Sequence, residues 1–172
     1  MNLYLRLLWT CFSTLFKPSI RFGDTIELQL RVWPNDLDVN AHMNNGRYMT
    51  IIDLAIIEYF ARAGVLKVLL SKGWRPVMGG SMISFRRSLR PWARYTLRFR
   101  VLCWDERWNY LSFEFLQGGR TMAMGHAKGA IVGRLGIIGR ADRFDAIGGN
   151  AESPAFPESV SAWIEAERLL QA

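Results

Sequence analysis

The sequence predicts an α+β fold in which an antiparallel sheet wraps around one long apolar helix, with an extra helix at each terminus. Three observations carry this. Residues 24–33 alternate apolar Ile26, Leu28, Leu30 and Val32 with polar Thr25, Glu27, Gln29 and Arg31, the period of a half-buried strand, and Pro34 ends the run. Residues 46–63 carry apolar side chains at nearly every angle of the helical wheel, so that helix belongs in the interior. Four more strand-like runs follow, at 75–89, 95–104, 108–116 and 121–134, separated by short turns and read as a four-strand meander.

The first seventeen residues form an amphipathic helix. Asn2, Arg6, Thr10, Ser13, Thr14 and Lys17 fall on one face at ~100° per residue, while Leu5, Leu8, Trp9, Phe12, Leu15 and Phe16 fill a wide apolar arc that needs cover. Arg6 and Lys17 bracket the apolar run and Lys17-Pro18 closes it, unlike a secretory leader. The segment is also shorter than the ~20 residues that span a bilayer. Two covers are consistent with it, the body of the protein itself and the membrane interface.

The long helix starts at a cap, Asn44 or Asn45, and breaks at Gly64, with 65–71 able to add further turns. On the strands after it, Leu97, Phe99, Val101 and Cys103 share one face, as do Leu111, Phe113 and Phe115, and both faces should pack on the helix. On the opposite face Arg98 and Glu114 form a plausible cross-strand pair. Residues 136–156 read as an irregular connector, and Pro157 opens a terminal helix with Val160, Trp163, Ile164 and Leu170 on its apolar side. The expected organisation is an N-terminal helix at 1–18, a central domain at 19–136, and a connector with a C-terminal helix at 137–172.

With 172 residues, half of them apolar, the chain can bury one core. The net charge of +7 comes mostly from arginine, whose planar fork suits phosphate and carboxylate. Anionic partners are implied: nucleic acid, a phospholipid surface, or a phosphorylated small molecule. No nucleic-acid-binding module is recognisable, so nucleic acid is not an expected partner. Cys11 and Cys103 make no disulfide framework, His42 and His126 make no zinc cluster, and neither metal nor cofactor is expected. The expected location is cytoplasmic, with membrane association through residues 1–17 as the variant.

Between the first strand and the long helix lies a loop, 35–48, dense in functional side chains: Asp36, Asp38, His42, Asn44, Asn45 and Tyr48. A helix start presents unpaired N–H groups and partial positive charge, suited to stabilising the oxyanion formed when a carbonyl is attacked. Asp36 and Asp38 stand far enough ahead for the chain to fold back and aim a carboxylate at that carbonyl. Loops before helices are also commonly rich in Asp and Asn for capping alone, so composition leaves both readings open.

The pattern D-x-D-x-x-x-H-x-N-N-x-x-Y from Asp36 to Tyr48, after a strand and opening an apolar helix, resembles the corresponding loop of the 4-hydroxybenzoyl-CoA thioesterase branch of the hotdog superfamily. The terminal apolar helix and the late Pro-Glu-x-x-x-x-Trp segment resemble proteins related to thioesterase superfamily member 6. The resemblance implies a hotdog fold, a homodimer or homotetramer with active sites at the subunit interface, and hydrolysis of a fatty or aromatic acyl-CoA thioester.

It also implies roles. Asp38 matches the catalytic carboxylate, as nucleophile or as general base for water, and Asn45 matches the residue whose backbone N–H binds the oxyanion. Some relatives place a catalytic histidine at the Asn45 position, which asparagine cannot replace, and a frequent glycine before the histidine is Ala41 here. His42 and Asp36 are candidates for which a structural role is the ordinary alternative. Tyr48 and Asp53 are candidate substrate-binding residues, Asp53 because other hotdog lineages carry their acid on the helix. Arg86, Arg87 and Arg90 are candidates for coenzyme A, although neighbours on a strand point to opposite faces. Two other functions compete: a non-catalytic acyl-CoA or lipid-binding module, and a dehydratase pairing His42 with Asp53. His126 is given no role.

Overall fold

The structure, a computed structural model, describes residues 3–170. Its elements are α1 (Leu3–Thr14), β1 (Ile26–Arg31), α2 (Asn45–Arg62), α3 (Val65–Lys72), β2 (Arg75–Phe85), β3 (Arg94–Trp104), β4 (Asn109–Gln117), β5 (Arg120–Gly133), β6 (Gly136–Ile137), α4 (Arg140–Ile147) and α5 (Glu158–Leu170). A short 3-10 turn, Pro34–Asp36, follows β1.

The sheet runs β1-β3-β4-β5-β2 and is antiparallel throughout, with β6 added to the end of β5. The meander is therefore three strands, β3 to β5, and not four. β2 does not join β3: the chain crosses over and β2 pairs with β5 from Arg75↔Val132 to Phe85↔Ala123, at the far edge. Short turns alone do not fix which strands pair, because the buried face of each strand is equally satisfied beside other neighbours.

The core forms between the inner sheet face and α2. Asn44 is the cap, its Oδ1 accepting the Gly46 N–H at 2.8 Å. Tyr48, Ile51, Ile52, Leu54, Ala55 and Tyr59 face the sheet, where Leu97, Phe99, Leu111, Phe113 and Phe115 meet them. Removing large apolar side chains such as these from water contributes roughly 1.5–3 kcal/mol each, which fixes α2 against the sheet. Gly64 and Gly73 take left-handed conformations at either end of α3.

Three further expectations change. β3 bulges between Val101 and Cys103, so Val101 packs inward while Cys103 turns outward with Tyr110 and Val160. Within 136–156 the chain forms α4, held by Phe144 packed on Trp104 at 4.7 Å and Phe22 at 5.4 Å, and by buried Arg143 donating to the carbonyls of Asp105, Glu106 and Ile138. Such a short helix rests on these tertiary contacts rather than on its own weak periodicity. On α5, Val160, Trp163 and Ile164 form the apolar side as expected and pack on the outer sheet face, but Leu170 is exposed. The expected Arg98–Glu114 pair is present at 3.2 Å, with Glu27 a second partner at 3.0 Å.

α1 docks on the body with its polar face, flanked by Leu3 and Leu7, which pack on the core. Arg6, Thr10 and Thr14 are buried, Arg6 is ion-paired with Asp36, and Lys17 just beyond the helix is paired with Glu58 of α2 at 2.7 Å. The apolar arc faces outward.

Candidate active site

The loop from Trp33 to Asn45 is a small hairpin. Leu37 and Met43 form a β-bridge, the Asn44 N–H donates to the Asp36 carbonyl at 2.8 Å, and the Asp38 N–H donates to the His42 carbonyl at 2.8 Å. The Met43 N–H bonds the carbonyl of fully buried Leu89, which pins the hairpin to the chain after β2. At its tip the Ala41 N–H donates to the Asp38 carbonyl at 3.1 Å, and Ala41 has φ 55°, the left-handed geometry that glycine adopts more easily.

This hairpin separates the two aspartates. Asp36 is buried, bonded to Arg6 and to the Trp33 N–H at 2.8 Å, with Arg47 at 3.6 Å, so it is a structural anchor. Asp38 is only half-buried. One of its carboxylate oxygens, Oδ1, accepts the Asn40 N–H at 2.9 Å and the His42 N–H at 3.3 Å, which fixes the carboxylate while Oδ2 has no partner among the described residues. At the other end of the hairpin the Asn45 N–H, first of α2, has no acceptor among the described residues.

The remaining candidates fall in two places. His42 lines a basic pocket of about 730 Å³ with Arg87, Ser88, Arg90, Gln117 and Arg120, a wall with no acidic residue. Arg86 does not line it. Arg120 was not foreseen; it follows the Gly118-Gly119 turn, which carries it to the loop side. Asp53 lies elsewhere, at the rim of an apolar cavity of about 360 Å³ between α2, α3 and the start of β2, lined by Ile57, Phe60, Leu69, Trp74 and Ile131 among others. Those apolar surroundings raise the Asp53 carboxyl above its ordinary value. Within one chain His42 and Asp53 therefore line different pockets and do not form a dehydratase pair. Tyr48 is buried between Phe85 and Phe115 and supports the loop from beneath.

Asn45, Met49, Asp53 and Ile57 follow one another at i,i+4 spacing, so they form one stripe along α2. This stripe leads from the free Asn45 amide to the apolar cavity, roughly 12 Å from Asn45 to Asp53 at the helical rise. Beside the cavity, β2 has a free edge on which Val77 and Met78 are exposed.

A curled antiparallel sheet around a central helix is the hotdog arrangement. The profile of the Thioesterase-like superfamily matches residues 32–164, and the chain belongs to that superfamily. Among curated relatives it is 35% identical over 137 residues to Protein THEM6 of Xenopus laevis, an alignment covering 78% of this chain and 64% of that protein. Among solved structures it resembles YbaW, a probable thioesterase from Escherichia coli, with TM-score 0.66, 16% identity, and 71% of this chain and 96% of that one covered. The hypothetical protein SAV2348 from Staphylococcus aureus, solved in complex with CoA, matches with TM-score 0.58 and 15% identity over 86% of each chain. These likenesses establish the hotdog fold.

Proposed function

We propose that the protein hydrolyses acyl-CoA thioesters. The observation that carries the reading is the pairing, across one short hairpin, of a fixed carboxylate with a free oxygen, Asp38, and an unpartnered helix-start amide at Asn45. In this reading the thioester oxygen sits on the Asn45 N–H, where the dipole of α2 stabilises the oxyanion. Asp38 either takes the proton from a water that attacks the carbonyl carbon, or attacks it to give an acyl-aspartyl anhydride that water then hydrolyses; in both courses the thiolate of coenzyme A departs.

The acyl group lies along the α2 stripe and into the apolar cavity, while the phosphates of coenzyme A meet Arg87, Arg90 and Arg120. His42 borders that basic pocket, where its ring contacts the coenzyme rather than the reacting carbon. Tyr48 holds the loop and Arg86 stays outside. The solved likeness with CoA bound supports the choice of coenzyme A as carrier. A homodimer joined through the open edge of β2 would cover exposed Val77 and Met78 and close the side of the stripe. The test is thiol release from acyl-CoAs of graded chain length and from aromatic acyl-CoAs. Turnover with a preference for an apolar acyl group is expected; no turnover on any of them overturns the reading.

A further inference from the structure

Helix α1 is amphipathic in the opposite sense to an ordinary surface helix. Its polar side is inside: Arg6 is locked to Asp36, and Thr10 and Thr14 are buried against the body. Its apolar side is outside: Leu5, Leu8, Trp9, Phe12, Leu15 and Phe16, in the helix and the turn that ends it, are each 55–79% exposed. An apolar aromatic stripe of this kind on a helix lying flat against its domain marks a contact surface.

The neighbouring crevice says what covers it. Between α1 and the β1–β3 edge, Trp9 and Trp33 line a hollow with Arg31 and Arg94, and Trp33 packs edge-on against exposed Trp92 at 5.6 Å. Arg31 and Arg94 are directly opposed in the β1–β3 register, and neither has an acidic partner among the described residues. Like charges in that position repel unless an anion sits between them. The crevice wall contains no acidic side chain. A second copy docked through this same face would set arginine against arginine, whereas an anionic bilayer supplies phosphate at the depth where tryptophan rings settle.

We infer that α1 is a membrane-interface foot: its outer stripe enters the headgroup layer of an anionic phospholipid bilayer, and a lipid phosphate binds between Arg31 and Arg94 beside Trp9. The helix lies on the bilayer and does not cross it; no helix among the described residues is long and apolar enough to do so. The inference is independent of the hydrolytic reading, since it uses none of the residues assigned to catalysis.

Flotation of the full-length protein tests it, with vesicles of phosphatidylcholine alone and of phosphatidylcholine mixed with phosphatidylglycerol. Wild type is expected to float with the mixed vesicles and only weakly with phosphatidylcholine. The variant Arg31→Gln/Arg94→Gln should lose about thirtyfold in partition onto the mixed vesicles, at about fivefold per guanidinium. The variant Leu8→Ser/Phe12→Ser should bind neither, with an unchanged circular dichroism spectrum. If wild type stays unbound on both vesicle types the inference fails. It also fails if Leu8→Ser/Phe12→Ser leaves vesicle binding intact, or if wild type ignores vesicles while that variant halves the mass measured by sedimentation, because a second copy then covers the stripe.

Discussion

Arg6 and Asp36 form a buried ion pair that ties the first turns of α1 to the loop ahead of α2. Through it, two aspartates only two positions apart have different physical circumstances: Asp36 is enclosed, with one oxygen bonded to Arg6 and Trp33 and the other facing Arg47, whereas Asp38 is half-buried with one oxygen that faces no cation among the described residues.

The first consequence is a contrast between two conservative substitutions. Asp36→Asn leaves Arg6 buried without its counter-charge and should cost about 3–5 kcal/mol. Asp38→Asn keeps an acceptor oxygen for the Asn40 and His42 amides and should cost less than about 1 kcal/mol. Urea denaturation of both variants measures the difference. Equal costs would mean that the ion pair does not hold the loop.

A second expectation concerns the hairpin tip. Ala41 sits at φ 55°, where a Cβ is strained, so Ala41→Gly should raise stability by up to about 1 kcal/mol after the greater freedom of the unfolded chain is counted. A loss of stability would show that the Ala41 methyl makes a contact worth more than the strain.

Asp53 makes a pH-dependent prediction. Apolar surroundings raise its carboxyl above 3.8, so the folded state holds that proton more tightly than the unfolded chain does. The stability this contributes is complete below about pH 3.8 and is lost as the pH rises through the raised folded value; at neutral pH the ionised group is a net cost. Asp53→Asn should therefore be more stable than wild type at neutral pH, with the difference vanishing in acid. Urea denaturation at both pH values checks the sign, and an asparagine variant less stable at neutrality would reverse it.

The basic pocket predicts a split in kinetic constants. Replacing Arg87, Arg90 or Arg120 by Gln should raise KM for an acyl-CoA about tenfold each, with kcat within about twofold, because a contact to the coenzyme is made equally in ground and transition states. Added salt should raise the wild-type KM in the same way. A fall in kcat with KM unchanged would place these guanidinia at the reaction centre instead.

What the sequence made legible was local. The strand at β1, the apolar helix α2, its Asn44 cap and the loop pattern between them all depend on neighbours within a few residues, and the pairing of Arg98 with Glu114 followed from the short turn that joins two successive strands. What it hid was long-range. The crossing of β2 to the far edge of β5, the bulge that turns Cys103 outward and the docking of α4 through Phe144 are decided by partners many residues away. The same holds for α1, whose polar face could be drawn on a wheel, but whose burial depends on an acid 30 positions along the chain. Arg120 entered the basic pocket unforeseen for the same reason, since only the folded turn brings it beside His42.

In the proposed reaction Asp38 supplies the carboxylate for thioester hydrolysis. The most direct test of this role is thiol release by wild type and Asp38→Asn on the acyl-CoA that wild type turns over fastest, with folding checked by thermal melting. A fall in kcat of about 10²–10⁴-fold is expected with the melt nearly unchanged. A folded Asp38→Asn variant that retains the wild-type rate would contradict that role.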